Sequence, residues 1–532
     1  MVFFSIAFLI YVLAAAIVYF LVPKNYRWCV LLVASYVFYW LNSRLLVLVL
    51  LATTLVTFLI GRWIDSENAK GKAELAAREG LTGKEKKALK EALKRRTRRI
   101  LVLGIVLDLG TLLFLKYFNF FGENINWLLG LFHAPGVVPV LNLLLPLGIS
   151  FYTLQAIAYM TDIYRGKGAA DKNPFKFMLF MSFFPQIVQG PIARHKQLAG
   201  QLYEGHEFDY RRVTFGLQLI LWGFFKKLVI ADRLIAPVAA IFDNVGKYHG
   251  LMVFLGAAMY GLQVYADFSG GMDIARGVAQ IFGIDLELNF KQPYFAFSIE
   301  DFWRRWHITL GSFMRDYVFY PLSLSKGFAN LSRKSRKLLG SFVGKRLPSF
   351  LAMFIVYILV GFWHGAEWQF IFYGLYNGFF IMAGILLGGV YNKLREKLGI
   401  GANTFTWKLF QILRTFVLVS MGRYFSRADS LYTALRMFKR TFQQIRDVSF
   451  LTNGSLLRIG LTNAEWWLLL FAIMLLLFVD YTHEKGIRIR ESIARQGLIF
   501  RWAIYLGIIV VILVFGVYGP GYSAASFIYE KF

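Results

Sequence analysis

The sequence predicts an all-α polytopic membrane protein. Three observations carry the prediction. Of 532 residues, 57% are hydrophobic and 18% aromatic, with a mean hydropathy of +0.53, whereas soluble domains are about half apolar. The excess is gathered into long runs, not into the alternating short segments of a membrane barrel. Lys and Arg number 59 against 31 Asp and Glu, and they crowd between the runs, where the positive-inside rule places them.

The net charge of +28 therefore reads as cytoplasmic loops facing anionic lipid headgroups, not as a nucleic-acid surface. Membrane lipids are expected partners and nucleic acid is not. Cys29 is the single cysteine, which excludes an intramolecular disulfide framework and any Cys-rich metal site. No metal site is expected.

A crossing needs ~20 apolar residues. Candidates lie near 2–22, 28–41, 45–61, 100–118, 138–160, 212–230, 250–268, 350–390 (two passes), 407–424, 464–480 and 502–519. Residues 2–22 are long enough to span and no basic region precedes them, so they do not read as a cleavable signal. Pro and Gly interrupt 176–193, and such breaks persist at membrane depth only when protein shields them or a cavity adjoins them.

Residues 62–99 hold thirteen Lys/Arg against six Asp/Glu and read as a basic cytoplasmic helical hairpin. The stretch 323–349 reads as a basic cytoplasmic loop. Its Lys326–Arg346 portion has seven Lys/Arg and no acid. Counting crossings from these loops puts the N-terminus outside. One region disagrees: Arg427–Arg446 is basic yet falls outside, so either 407–424 does not cross or the count is off by one nearby.

His364 is the foremost candidate functional residue. It follows the apolar run Phe350–Trp363 and is flanked by Gly361 and Gly365. A titratable group in such a setting is a functional candidate, and imidazole exchanges protons near neutral pH. Fourteen residues from Phe350 to Trp363 span ~21 Å, which leaves His364 short of the outer face of a ~30 Å core. The flanking glycines would let another helix or a substrate approach. His307 is the second candidate. On one continuous helix, Trp303, Trp306, His307, Leu310, Met314 and Tyr317 share a face, with Arg304, Arg305, Arg315 and Asp316 beside or behind it. A packing role is the plainer alternative for His307.

Asp267 and Asp273 also sit in apolar sequence. Structural pairing, for instance with the arginines of the His307 helix, is the plainer reading, and ion sites in a transporter are the alternative. Glu367 could orient His364 if both were helical. The sequence holds no Walker-type loop, zinc-spaced Cys/His cluster, nucleophile elbow or dinucleotide fingerprint. Histidine is left as the most plausible catalytic group, as general base or as acyl acceptor.

Several ordered strings now bear on identity: Leu31-Leu-Val-Ala-Ser-Tyr-Val-Phe-Tyr39, Leu147-Gly-Ile-Ser-Phe-Tyr152 and Phe184-Pro-Gln-Ile-Val-Gln-Gly-Pro-Ile192 come first. Tyr265-Ala-Asp-Phe-Ser-Gly270, Asn289-Phe-Lys-Gln-Pro-Tyr294, Phe302-Trp-Arg-Arg-Trp-His307 and Arg315-Asp-Tyr317 follow. Gly361-Phe-Trp-His-Gly365, Phe425-Ser-Arg-Ala428 and Phe527-Ile-Tyr529 close the series. In order and spacing the chain resembles the membrane-bound O-acyltransferase family, in its bacterial alginate and peptidoglycan O-acetylation branch. Two stretches depart from that pattern, Tyr373-Gly-Leu-Tyr-Asn377-Gly and Phe425-Ser426. Neither is expected to touch the two histidines.

The resemblance implies a single transmembrane acyltransferase domain over 1–532, in the bacterial plasma membrane. It would be a bundle of about 11–13 tilted and re-entrant helices around a central tunnel. His364 would be catalytic and His307 a second tunnel histidine. Trp303, Arg304, Arg305, Trp306, Trp363, Asp267, Asn289, Arg315 and Asp316 would be the candidate substrate-binding residues. No cofactor would be tightly bound. Cytoplasmic acetyl-CoA would be co-substrate, and an extracytoplasmic SGNH-type acetyltransferase or esterase would receive the acetyl group for a polysaccharide. The alternatives are D-alanyl-type transfer from an acyl carrier protein, and a polysaccharide or ion transporter.

Overall fold

A computed structural model describes residues 4–78, 80 and 82–518. The Phe527–Tyr529 string, and positions 2, 3 and 519 of the outermost expected spans, lie outside them. Among the described residues the regular structure is helical, and the one β feature is an antiparallel bridge between Phe290 and Trp306. Among the described residues, eight helical stretches are long and apolar enough to cross a membrane: Lys24–Ala77, Gly83–Leu131, Tyr210–Phe242, Leu251–Ile281, Gly344–His364, Trp368–Lys397, Asn463–Glu484 and Leu498–Phe515. The protein is an all-α polytopic membrane protein. It divides into two compact units, Met1–Leu217 with Ala275–Glu287, and Gln218–Ile274 with Leu288–Phe532.

In the first unit the basic hairpin is built from two helices that extend well beyond their apolar runs, Val47–Ala77 and Gly83–Leu131. Thr82 and Glu85 form a capping box that starts the second, satisfying backbone donors that a helix N-terminus leaves open. Buried Glu67 joins the two through Arg96 at 2.9 Å, with Lys70 on its own helix at 3.3 Å.

The expected span 138–160 is helical only from Ile149 to Tyr164. Pro139 and Pro146 disfavour helix in the residues before them. Two asparagines one heptad apart on the neighbouring helix satisfy that segment's backbone. Asn126 accepts from the amides of Val137 and Val138 and donates to the Val138 carbonyl. Asn119 does the same for both groups of Leu141. The broken segment 176–193 forms two short helices, Pro174–Ser182 and Phe184–Ile187, and protein shields it. Ser35 accepts from the Phe184 amide at 3.1 Å, and Gln155 donates to the Phe180 carbonyl at 2.8 Å.

In the second unit, the stretch 323–349 expected as a loop is mostly helix. Lys326–His364 is capped by Ser325 and interrupted at Gly340, whose φ of 74° breaks the helical run. Its Lys and Arg residues are good helix formers. The part long and apolar enough to cross is the 21-residue Gly344–His364, ~31 Å long, and His364 is its last residue. The helix Phe405–Arg427 has 23 residues but includes Lys408, Arg414 and Arg423 and is not among the eight. Leu431–Phe442 after it is amphipathic, burying Ala434, Met437 and Thr441.

Candidate active site

The site lies within the second unit. His364 ends its helix, and Gly365 (φ −170°) turns the chain to extended backbone. The next helix, Trp368–Lys397, returns in close contact. A Cβ on Gly361 would stand 2.3 Å from the Phe370 carbonyl oxygen, and one on Gly374 would stand 2.0 Å from that of Tyr357. Glycine is what allows these two backbones to approach. Glu367 lies in extended backbone at the N-cap of the returning helix, so the helical geometry by which it would orient His364 does not form.

His307 is not on a continuous helix. Ile299–Arg305 stops, Trp306 is extended, His307 takes φ 49°, and Ile308–Phe313 begins after it. The cause is a second strand-like segment. Phe290 bridges to Trp306, the Lys291 amide donates to the Arg305 carbonyl, and the Ile308 amide donates to the Asn289 carbonyl. The face drawn for an unbroken helix therefore does not exist.

Asn289 serves as the missing cap. Its Oδ1 accepts from the Thr309 amide and the Thr309 hydroxyl, both at 3.0 Å, and faces His307 Nδ1 at 3.3 Å. Its Nδ2 lies 3.6 Å from Met272 Sδ. A backbone amide only donates, so the Thr309 contact fixes which end of Asn289 is oxygen. An oxygen facing Nδ1 in turn places the imidazole proton there and leaves Nε2 as the acceptor. His307 lies outside the eight spans. Burial holds its pKa well below the ordinary histidine value, and the nearby His364 pushes the same way.

The two histidines meet through an indole. The Trp363 ring is 5.3 Å from His307 and 5.1 Å from His364. Phe268 meets the His307 ring edge-on at 4.9 Å. Tyr373 packs on His364 at 5.7 Å, so one departure from the family pattern does touch a principal histidine. His307 is wholly buried and His364 is 6% exposed.

Arg423 completes this wall and was missed by the sequence reading. It is buried, lies 4.6 Å over the Trp306 ring and donates to the Tyr373 hydroxyl at 3.1 Å. An arginine two residues before Phe425 was the available signal. Trp303 reaches the same wall, donating to Asn377 at 3.1 Å.

Other expected site residues are placed differently. Arg304 is exposed and pairs with Glu300. Arg305 pairs with Asp301 at 3.2 Å and Glu484 at 2.7 Å. Arg315 is exposed and bonds its neighbour Asp316 at 2.9 Å. Asp267 pairs with Lys227 at 2.7 Å, and Asp273 with Lys226 at 2.7 Å. These partners are lysines on a π-helical turn, Phe225–Ala231, in place of the arginines expected. Two lysines at the end of an apolar run were the overlooked signal.

This constellation is buried, aromatic and rich in imidazole, and it falls inside a segment with known relatives. Residues 169–421 match the model of the MBOAT, membrane-bound O-acyltransferase family. The chain is 32% identical to "Probable alginate O-acetylase AlgI" of Pseudomonas aeruginosa, over 80% of this chain and 71% of that one. It is 33% identical to the peptidoglycan O-acetyltransferase of Helicobacter pylori, over 64% of each. A teichoic acid D-alanyltransferase of Streptococcus thermophilus is 28% identical over 48% of this chain and 61% of its own. Both histidines fall within the matched family segment, and the identity to the alginate acetylase extends over most of both chains: this polytopic membrane enzyme belongs to the membrane-bound O-acyltransferase family.

Proposed function

We propose that this enzyme moves an acetyl group from acetyl-CoA on the cytoplasmic side, through a tunnel lined by His307 and His364, to an extracytoplasmic hydroxyl, for O-acetylation of a cell-surface polysaccharide. One observation carries the reading: two buried histidines joined by Trp363, within a segment shared with O-acetylating relatives. In the proposed step a ring nitrogen of His364 takes the proton of the acceptor hydroxyl. The freed oxygen attacks the thioester carbonyl, the C–S bond breaks, and the leaving thiolate receives the proton. The products are an O-acetyl ester and free CoA. His307, neutral and with Nε2 as acceptor, positions the hydroxyl or the bound thiol. Trp303, Trp306 and Trp363 shape the wall against the acyl group, and a secreted SGNH-type protein is the proposed acceptor.

The D-alanyltransferase likeness favours one second reading, acyl transfer from a carrier-protein thioester. Membranes containing the wild-type or the His364→Ala protein, supplied with labelled acetyl-CoA or an acyl-carrier thioester, separate the two. Loss of a positioned general base costs ~10²–10⁴-fold, so His364→Ala is expected to abolish measurable transfer while still inserting. Turnover only with the carrier thioester would replace acetyl-CoA as donor. Undiminished transfer by His364→Ala would sink the mechanism.

A further inference from the structure

A cavity of about 500 Å³ lies in the second unit, apart from the two histidines. That volume is within the ~300–1,000 Å³ typical of small-molecule sites. Its walls come from Gln218–Phe225, Leu475–His483, the short helix Ile489–Ala494, and Ala503–Val511. They are mainly apolar, with Trp222, Phe225, Leu475, Phe478, Ile504 and Ile508 prominent. Along the two later helices the lining runs nine residues, from Leu475 to His483 and from Ala503 to Val511, a rise of roughly 12 Å at 1.5 Å per residue. The cavity thus extends about two helical turns along these helices.

Polar groups gather at one end of the Asn463–Glu484 crossing. Thr482 and His483 lie in its last turn, and Arg490 follows on the next helix. Lys485–Arg501 carries five Lys/Arg and one acid, and that acid, Glu491, pairs with Arg488 at 3.2 Å. Elsewhere in the lining, Gln218 donates to the Tyr505 hydroxyl at 3.1 Å, so these two polar groups satisfy each other. The helix Leu498–Phe515, which forms one wall, fully buries only Ile512 and exposes its outer face, with Ile499 88% exposed. In a membrane protein such a face meets acyl chains.

We propose that this cavity is a site for one anionic glycerophospholipid, with an acyl chain in the apolar slot and the phosphate at Arg490 and His483. Apolar length, a cationic end at the terminus of a crossing helix, and a wall facing the bilayer select that occupant together. A basic pocket between helices near the membrane surface is the kind that holds acidic headgroups. A neutral lipid would fill the slot without using the charge. A soluble phosphate would use the charge without the slot.

Native mass spectrometry of the detergent-purified protein tests this, with chain-matched phosphatidylglycerol or phosphatidylcholine, and with glycerol phosphate as competitor. Wild type should retain one phosphatidylglycerol in preference to phosphatidylcholine. Arg490→Gln should weaken phosphatidylglycerol retention roughly fivefold, the loss of one basic contact near the surface, and leave phosphatidylcholine unchanged. Leu475→Trp, which fills the slot, should weaken both. Equal retention of the two lipids by wild type, unchanged phosphatidylglycerol retention in Arg490→Gln, or full displacement by glycerol phosphate would each overturn the assignment. If Leu475→Trp does not fold by circular dichroism, the Arg490→Gln and competitor results decide alone.

Discussion

Asn289 governs the state of His307, and much of the site's chemistry follows from that one amide. It receives the Thr309 amide and hydroxyl and faces His307. Asn289→Ala would leave buried donors without their acceptor, at ~1–3 kcal/mol each. The expected loss is about 2–5 kcal/mol, read as a lowered unfolding midpoint in mild detergent; a change below ~0.5 kcal/mol would contradict the capping role. His307 adds a pH dependence. Its native pKa is depressed by burial and by His364, while in the unfolded chain it titrates near ~6.5. Below that value the unfolded state binds a proton that the native state does not, so stability falls as pH falls from ~6.5 towards the depressed native value, and this group contributes no slope above ~6.5. Unfolding midpoints across pH 4.5–8 should show that acid loss, smaller in His307→Phe; identical slopes in the two proteins would refute it. His364 was legible in sequence because an imidazole after an apolar run is conspicuous. Asn289 was legible only as part of a motif. Its partners His307 and Thr309 stand 18 and 20 residues away, a separation that no helical or strand period connects.

Helix ends and crossings, more than helix interiors, build the site. The hydrophobic runs showed where most long helices lie. They did not show the interruption at Trp306–His307, because it is imposed by pairing with Phe290. Nor did they show that 138–146 is non-helical, since Asn119 and Asn126 satisfy that backbone from another helix. The glycines were partly legible: close approach at Gly361 follows from residue type, but the approaching group, the Phe370 carbonyl, does not. The crossing of Gly344–His364 with Trp368–Lys397 yields a sharp expectation. Gly374→Ala would push a methyl group against the Tyr357 carbonyl. Forced separation of the helices should cost about 1–3 kcal/mol or more. It should also lower transferase activity by displacing Tyr373 from His364. Gly384→Ala, with open space around its added Cβ, is the control on the same helix. Equal effects of the two substitutions would refute the crossing argument.

At the scale of the whole molecule, an apolar chain with a large positive charge had one economical solution, membrane-crossing helices joined by basic segments. Buried charge is the exception that tertiary structure must resolve. Lys227 lies 2.7 Å from Asp267 and 2.9 Å from Asp232, all three nearly inaccessible. Removing one partner from a buried set costs about 3–5 kcal/mol because charge is left uncompensated. Lys227→Met should therefore lower the unfolding midpoint strongly. Adding Asp267→Asn should recover part of the loss, since one fewer carboxylate is stranded; a double variant less stable than the sum of its single variants would count against this pairing. By itself the sequence determined that the chain is helical, that it crosses a membrane several times, and which two imidazoles deserve attention. Those conclusions rest on hydropathy, charge and local order, which are sums and spacings along one dimension. Tertiary structure decided that the aspartates meet lysines, that Tyr373 and Arg423 join the histidine wall, and which His307 nitrogen carries the proton. Each depends on distances and directions between residues remote in the chain, which composition and periodicity do not contain.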